Sequence, residues 1–165
     1  MELKKLCKSA TVARSVARTW FDKQKWRNGT ENYVEHRIRV GDLARGHQMS
    51  DTAITAGYLI NICHKTIMDE KGLAIMGIPT DAVSMARVLS QPPDMTYADY
   101  IKRVISTRSP EHLHLLLLDI QDALDITPIN FYKGMMQDIN RLTRAKIEVM
   151  KAYLVLVGEE GSEDG

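Results

Sequence analysis

The five prolines of the chain, Pro79, Pro92, Pro93, Pro110 and Pro128, all fall between segments whose apolar residues recur at helical spacing. A proline inside a helix removes a backbone hydrogen bond and clashes with the preceding turn, so this placement punctuates helices rather than breaking them. No segment shows sustained period-two alternation of β-branched residues between turn signals. Together these features predict an all-α chain of seven helices. The first is expected over residues 3–25, with Leu6, Ala10, Ala13, Val16, Ala17 and Trp20 on one stripe and a turn at Asn28-Gly29-Thr30 after it. The second is expected over 34–44, and the third from a Ser50-Asp51 cap to residue 68. Thr80-Asp81 caps a fourth over 82–90, and Thr96 a fifth over 97–106. The sixth covers 111–124 after Ser109-Pro110, where proline suits the first turn, and the last covers 131–157. The run 113–120 would also suit a buried strand; its length and proline-led start favour a helix.

A chain of 165 residues with 44% hydrophobic and 26% charged residues has the size and mixture of one globular domain, expected over 1–157. Residues 158–165, rich in glycine and glutamate, are expected as a disordered acidic tail. The formal net charge of +1 gives no global bias toward nucleic acid or a membrane surface. The apolar run 115–118 is far too short to span a bilayer. Cys7 and Cys63 are far apart and in no CxxC pair, which argues against a zinc finger and for free thiols in a reducing compartment. The opening residues carry no signal-peptide pattern, so the expected location is the cytoplasm.

Polar residues inside apolar stretches are the informative ones for function. His36 shares its helix with Ile38, Val40 and Leu43; His64 follows Ile62 and Cys63; Asp119 interrupts a run of leucines. A single histidine on an apolar face is more often a hydrogen-bonded core residue. A carboxylate among leucines is costly to bury unless it is paired or bound to metal. Three such residues on three helices fit the way helical bundles build metal sites, with histidine and carboxylate ligands from facing helices.

The order of several motifs resembles a known family. Tyr33-Val34-Glu35-His36 with Val40 resembles the Tyr-x-x-His-x-x-x-Val opening of alarmone hydrolases. The stretch from Ala56 through Tyr58, Ile62 and His64 resembles the helix leading to their His-Asp pair. Gly77-Ile78-Pro79, Val83, Leu89, Tyr97 and Tyr100-Ile101-Lys102-Arg103-Val104 follow the middle of small HD phosphohydrolases. Leu115-Leu116-Leu117-Leu118-Asp119 resembles their Val-Lys-Leu-Ala-Asp segment, and Gln24, Arg27 and Gly29 resemble the stretch whose basic residue packs on the purine. The resemblance spans residues 24–125 and implies a compact multi-helix HD-domain bundle of the small ppGpp hydrolase kind.

In that family two histidines and two aspartates hold one divalent ion, usually manganese. The resemblance assigns His36, His64 and Asp119 as three of these ligands. At the fourth, the aspartate of the HD motif, this chain has Lys65. The acidic pair that follows becomes Met68-Asp69, which leaves Asp69 as the one matching catalytic carboxylate. The metal would generate a hydroxide near neutral pH and the acidic pair would position that water. An ammonium in place of a carboxylate removes a ligand and opposes the ion. At about 4 Å and an effective dielectric of about 20, one unit pair is worth roughly 4 kcal/mol. The change here is two units against a divalent ion, so metal binding by the family route is expected to be weak or absent. Two arrangements stay open: Lys65 swings outward and leaves a three-ligand site, or its ammonium takes the metal's place among His36, His64 and Asp119.

Three functions follow. The first is a degenerate HD-domain protein that binds a nucleotide or another phosphate-bearing small molecule without efficient hydrolysis, through Arg27, Lys65 and Asp122. The second is an active metal-dependent phosphohydrolase with an altered ligand set, so whether the chain is an enzyme stays open. The third is an interaction protein whose last helix, with Phe131, Tyr132, Met135, Met136, Met150 and Tyr153, meets a protein partner, although packing against the chain's own core is the commoner use of such a face. Lys23, Lys25, Arg27, Arg37 and Arg39 form a basic cluster that is expected around the pocket mouth. His112 and His114 stand two apart on a helix and do not face each other.

Overall fold

The computed structural model describes residues 2–26, 31–127 and 132–163. Their contacts divide the chain into two compact units, Met1–Pro93 and Asp94–Gly165, where the sequence reads as one domain.

In the first unit, α1 (Lys8–Trp20) begins where the Cys7 side chain accepts the Ala10 N–H, and it buries Ala10, Ala13, Val16 and Ala17. The helix expected over 3–25 is thus too long at both ends. Phe21 turns inward and is fully buried, and Lys23 takes a left-handed φ of 66°, which no continuing helix allows. Lys25–Trp26 (β1) then pairs antiparallel with Glu31–Asn32 (β2), Lys25 opposite Asn32. A two-residue ladder is too short to leave an alternation signal in sequence. The expected turn at Asn28-Gly29-Thr30 lies outside the described residues.

α2 (Tyr33–Gly46) buries residues all round, from Tyr33, His36 and Arg37 to Gly41 and Ala44. α3 (Asp51–Leu59) starts at Ser50, whose hydroxyl accepts the Ala53 N–H at 3.1 Å, and is buried from Ala53 through Leu59. It is the central helix of the unit, packed by α1, α2 and the later α6. Gly41 lets α2 and α3 approach: a methyl there would run into the Tyr58 ring. The Tyr58 hydroxyl reaches back and donates to Asp42 Oδ1 at 2.6 Å.

The helix expected from 51 to 68 breaks at Asn61, which adopts φ 68°. Asparagine tolerates this left-handed conformation better than most residues. Short α4 (Ile62–Lys65) follows, and Asp69 then caps α5 (Glu70–Ile75), its Oδ1 accepting the Gly72 N–H at 2.7 Å. Gly77, at φ 86°, ends that turn, and α6 (Thr80–Val88) follows with Pro79 at its cap position. Thr80-Asp81 is therefore not the cap the sequence suggests. Asp81 instead accepts from the Thr52 hydroxyl at 3.0 Å and ties α6 to α3.

The second unit follows the sequence more closely. α7 (Tyr97–Ser106) is capped by Thr96, which accepts from Asp99 N at 3.1 Å. α8 (Pro110–Ile126) is capped by Ser109 with proline in its first turn, so the 113–120 run is helix and not strand. α9 (Met135–Glu163) lies along α8 and α7. Phe131, its expected first residue, lies outside the described residues, but 132–134 are not helical and Gly134 takes φ 92°, so the helix starts later than expected; it also runs on through 158–163, past the expected end at 157. Among the described residues no helix is long and apolar enough to cross a membrane.

Candidate functional site

In the first unit the site gathers around Tyr33, the first residue of α2. His36, one turn on, is 3% exposed, and its ring meets that of Tyr33 edge-on with centroids 5.7 Å apart. Arg37 is completely buried. One of its Nη atoms lies 2.7 Å from His36 Nε2, the other donates to the Gly57 carbonyl at 3.4 Å, and the guanidinium carbon sits 5.5 Å from the Tyr33 ring centre. A guanidinium only donates, so Nε2 is the accepting atom of that contact. A metal approaching through Nε2 would meet the Arg37 cation there.

Lys65 approaches the same tyrosine from α4, its Nζ 4.7 Å from the ring centre, a cation–π distance. Asn61 fixes the geometry between them. Its backbone N–H donates to Ser90 Oγ at 2.7 Å, its amide donates to the Tyr33 hydroxyl at 2.9 Å, and its Oδ1 accepts from Gln91 N at 3.0 Å. The left-handed turn at Asn61 is what sends α4, and Lys65 with it, back toward the start of α2.

The structure brings together His36, Arg37, Lys65 and Tyr33. His64 is exposed and lines a different small cavity of about 100 Å³ with Cys63, Glu70 and Arg87. Burial, then the Glu70 and Asp69 carboxylates, push the Cys63 thiol pKa up. Asp69 is exposed and its carboxylate serves as the α5 cap. Within this unit, among the described residues, no three histidine, cysteine, aspartate or glutamate side chains are grouped to hold a metal ion. Arg27 lies outside the described residues.

In the second unit, Asp119 and Asp122 stand three apart on α8; Asp122 is buried and Asp119 is half-buried with a buried Oδ1. α7 and α9 enclose a cavity of about 470 Å³ that sequence reasoning missed. Arg141 and Arg144 line it with Tyr97, Asn140, Gln137 and Glu148. The Arg141 guanidinium lies 4.5 Å from the Tyr97 ring centre and pairs with Asp138 at 3.0 Å. Two guanidiniums, an aromatic ring and neutral amides in one concavity are the groups that hold a phosphate and a flat ring.

The inward turn of Arg37 was missed as well: the sequence places it in a basic cluster around the pocket mouth. The signal was its register. Val34, Arg37, Gly41 and Ala44 recur at spacings of three and four, so Arg37 shares the helix face of small apolar residues.

No family model and no curated protein matches the sequence. A solved structure does match in fold: a metazoan ortholog of SpoT, described as hydrolysing ppGpp and playing a role in starvation responses, superimposes with a TM-score of 0.66. The match covers 96% of this chain and 98% of that one at 14% identity. At that identity the likeness is one of fold, and the chain has the all-helical bundle fold of the HD type that it shares with this ppGpp-hydrolysing protein.

Proposed function

We propose that the protein binds a phosphate-bearing nucleotide of the ppGpp class and does not hydrolyse it by a metal-dependent route. The observation that carries this reading is the 2.7 Å contact of the buried Arg37 guanidinium with His36 Nε2. A divalent ion placed there would lose His36 as a ligand and face a fixed positive charge. Lys65, where the family has its second ligating carboxylate, adds another cation close by. The donor set therefore does not fit a divalent ion.

What supports binding is the same chemistry read the other way. Cations that repel a metal attract phosphate, and guanidiniums grip it through two parallel hydrogen bonds. Lys65 beside Tyr33, and Arg141 beside Tyr97, each pair a cation with an aromatic face. On the resemblance alone, Arg27 and Asp122 are further candidates for contact with the phosphate. His36, His64 and Asp119 are then the inherited positions of a metal site, and Asp69 the inherited position of its acid pair.

The test is calorimetric titration of ppGpp into the full chain in chelator, with pyrophosphate release followed in manganese. Saturable binding in chelator, weakened by Arg141→Ala, with no release in manganese, is the expected result. Manganese-dependent release that Asp119→Ala abolishes would overturn the proposal.

A further inference from the structure

α9 carries two apolar stripes. Leu142, Ala145, Val149 and Leu156 are buried in the second unit. Ile147, Met150, Leu154 and Val157 recur at spacings of three, four and three, the seam spacing of a two-stranded coiled coil, yet they are exposed, Leu154 to 63%. At about 100° per residue the second stripe is centred about 130° around the helix from the first. It is thus a separate face and not the rim of the core. A row of large apolar side chains on a helix already packed along its other side marks a contact surface.

We propose that this stripe pairs, antiparallel, with the same stripe of a second copy of the chain across a two-fold axis. The stripe maps onto itself in that arrangement. Met150 meets Leu154 of the second copy, and Ile147 meets Val157 of the second copy. Asn140 and Thr143 before it and Gly161 after it continue the seam positions without a large apolar side chain, so the stripe is bounded on both sides. An interface made of one patch twice is the form closed dimers take.

Charge selects both the occupant and its direction. Arg141, Arg144, Lys146 and Lys151, with Glu148 the one acid among them, make the middle of α9 basic, while Glu159, Glu160 and Glu163 make its end acidic. A parallel partner would set like charges side by side. An antiparallel one sets the acidic end of each helix against the basic stretch of the other, and Lys146, whose Nζ also donates to Gln121 Oε1 on α8, then lies within two residues of the level of Glu160 of the second copy. Two heptads alone would be marginal, but here the helix is already ordered by packing on α7 and α8, so pairing does not have to order it.

The test is sedimentation of the full chain over a range of concentrations, with circular dichroism as the check of folding. A monomer–dimer equilibrium is expected, abolished by Leu154→Glu with the helical signal unchanged, since that side chain is outside the core. Lys146→Glu and Glu160→Lys are each expected to weaken the dimer several-fold, and the two together to restore it. A monomer at every concentration would overturn the proposal. So would a dimer indifferent to Leu154→Glu, or a double variant as weak as either single one.

Discussion

Asn61 is the residue at which the site's geometry can be tested as a stability difference. Its side chain makes two hydrogen bonds and its backbone holds φ 68°, so two substitutions separate the two contributions. Asn61→Gly keeps the backbone conformation accessible and deletes both side-chain bonds. At about 1 kcal/mol for each bond, the loss is about 2 kcal/mol. Asn61→Ala deletes the same bonds and forces a β-carbon into the left-handed region, which adds about 1 kcal/mol. For a chain of this length 1 kcal/mol corresponds to about 2–4 °C in Tm. The glycine variant is thus expected to melt about 4–8 °C below the parent and the alanine variant about 2–4 °C lower again. Urea denaturation followed by circular dichroism and tryptophan fluorescence checks the order parent, glycine, alanine. An alanine variant as stable as the glycine variant would refute the backbone argument. Both variants lying within about 0.5 kcal/mol of the parent, the usual range for an uninvolved surface position, would refute the claim that Asn61 ties α4 to α2.

Gly41→Ala pushes a methyl into the Tyr58 ring and is expected to cost about 1–3 kcal/mol by overpacking, read from the urea midpoint. Burial, and then the hydrogen bond to Asp42, raise the Tyr58 pKa, so the folded state holds that proton more tightly than the unfolded one. Its contribution is fully present below about pH 10, the unfolded value, and is lost as pH rises from there toward the raised one. The parent should therefore lose stability above about pH 10 more steeply than Tyr58→Phe, with equal slopes counting against the assignment. Cys63, with its pKa raised, is expected to react with iodoacetamide more slowly than a free thiol at pH 8, and faster once Glu70→Gln removes a neighbouring charge. Alkylation at the free-thiol rate would contradict this.

The fold was legible where local chemistry decides it. Thr96 and Ser109-Pro110 mark the starts of α7 and α8 with signals that need no distant partner. His36 stood out because it sits among apolar neighbours, and it is buried. The break at Asn61 was not legible, because Ser90, Gln91 and Tyr33 stabilise it from about thirty residues away. The end of α9 misled for the opposite reason. Gly158 and Gly161 read as fraying, whereas Arg108 pairs with Glu159 at 2.9 Å and the Ser162 hydroxyl donates to the Glu159 carbonyl. The substitution at Lys65 was visible in sequence, but not that Arg37, read as one of a basic cluster at the pocket mouth, turns inward onto the His36 nitrogen. The cavity between α7 and α9 joins residues about forty positions apart, and no local pattern connects Tyr97 with Arg141.

Arg37 and Lys65 stand at positions where the resemblance to HD hydrolases implies a metal site. Calorimetric titration of manganese into chelator-stripped protein tests it most directly, with Arg37→Gln/Lys65→Asp as the comparison. The account expects no saturable binding to the parent and a gain of binding in the double variant, where His36 Nε2 is released from the guanidinium and a carboxylate returns. Tight one-to-one binding by the parent, lost on His36→Ala, would contradict it.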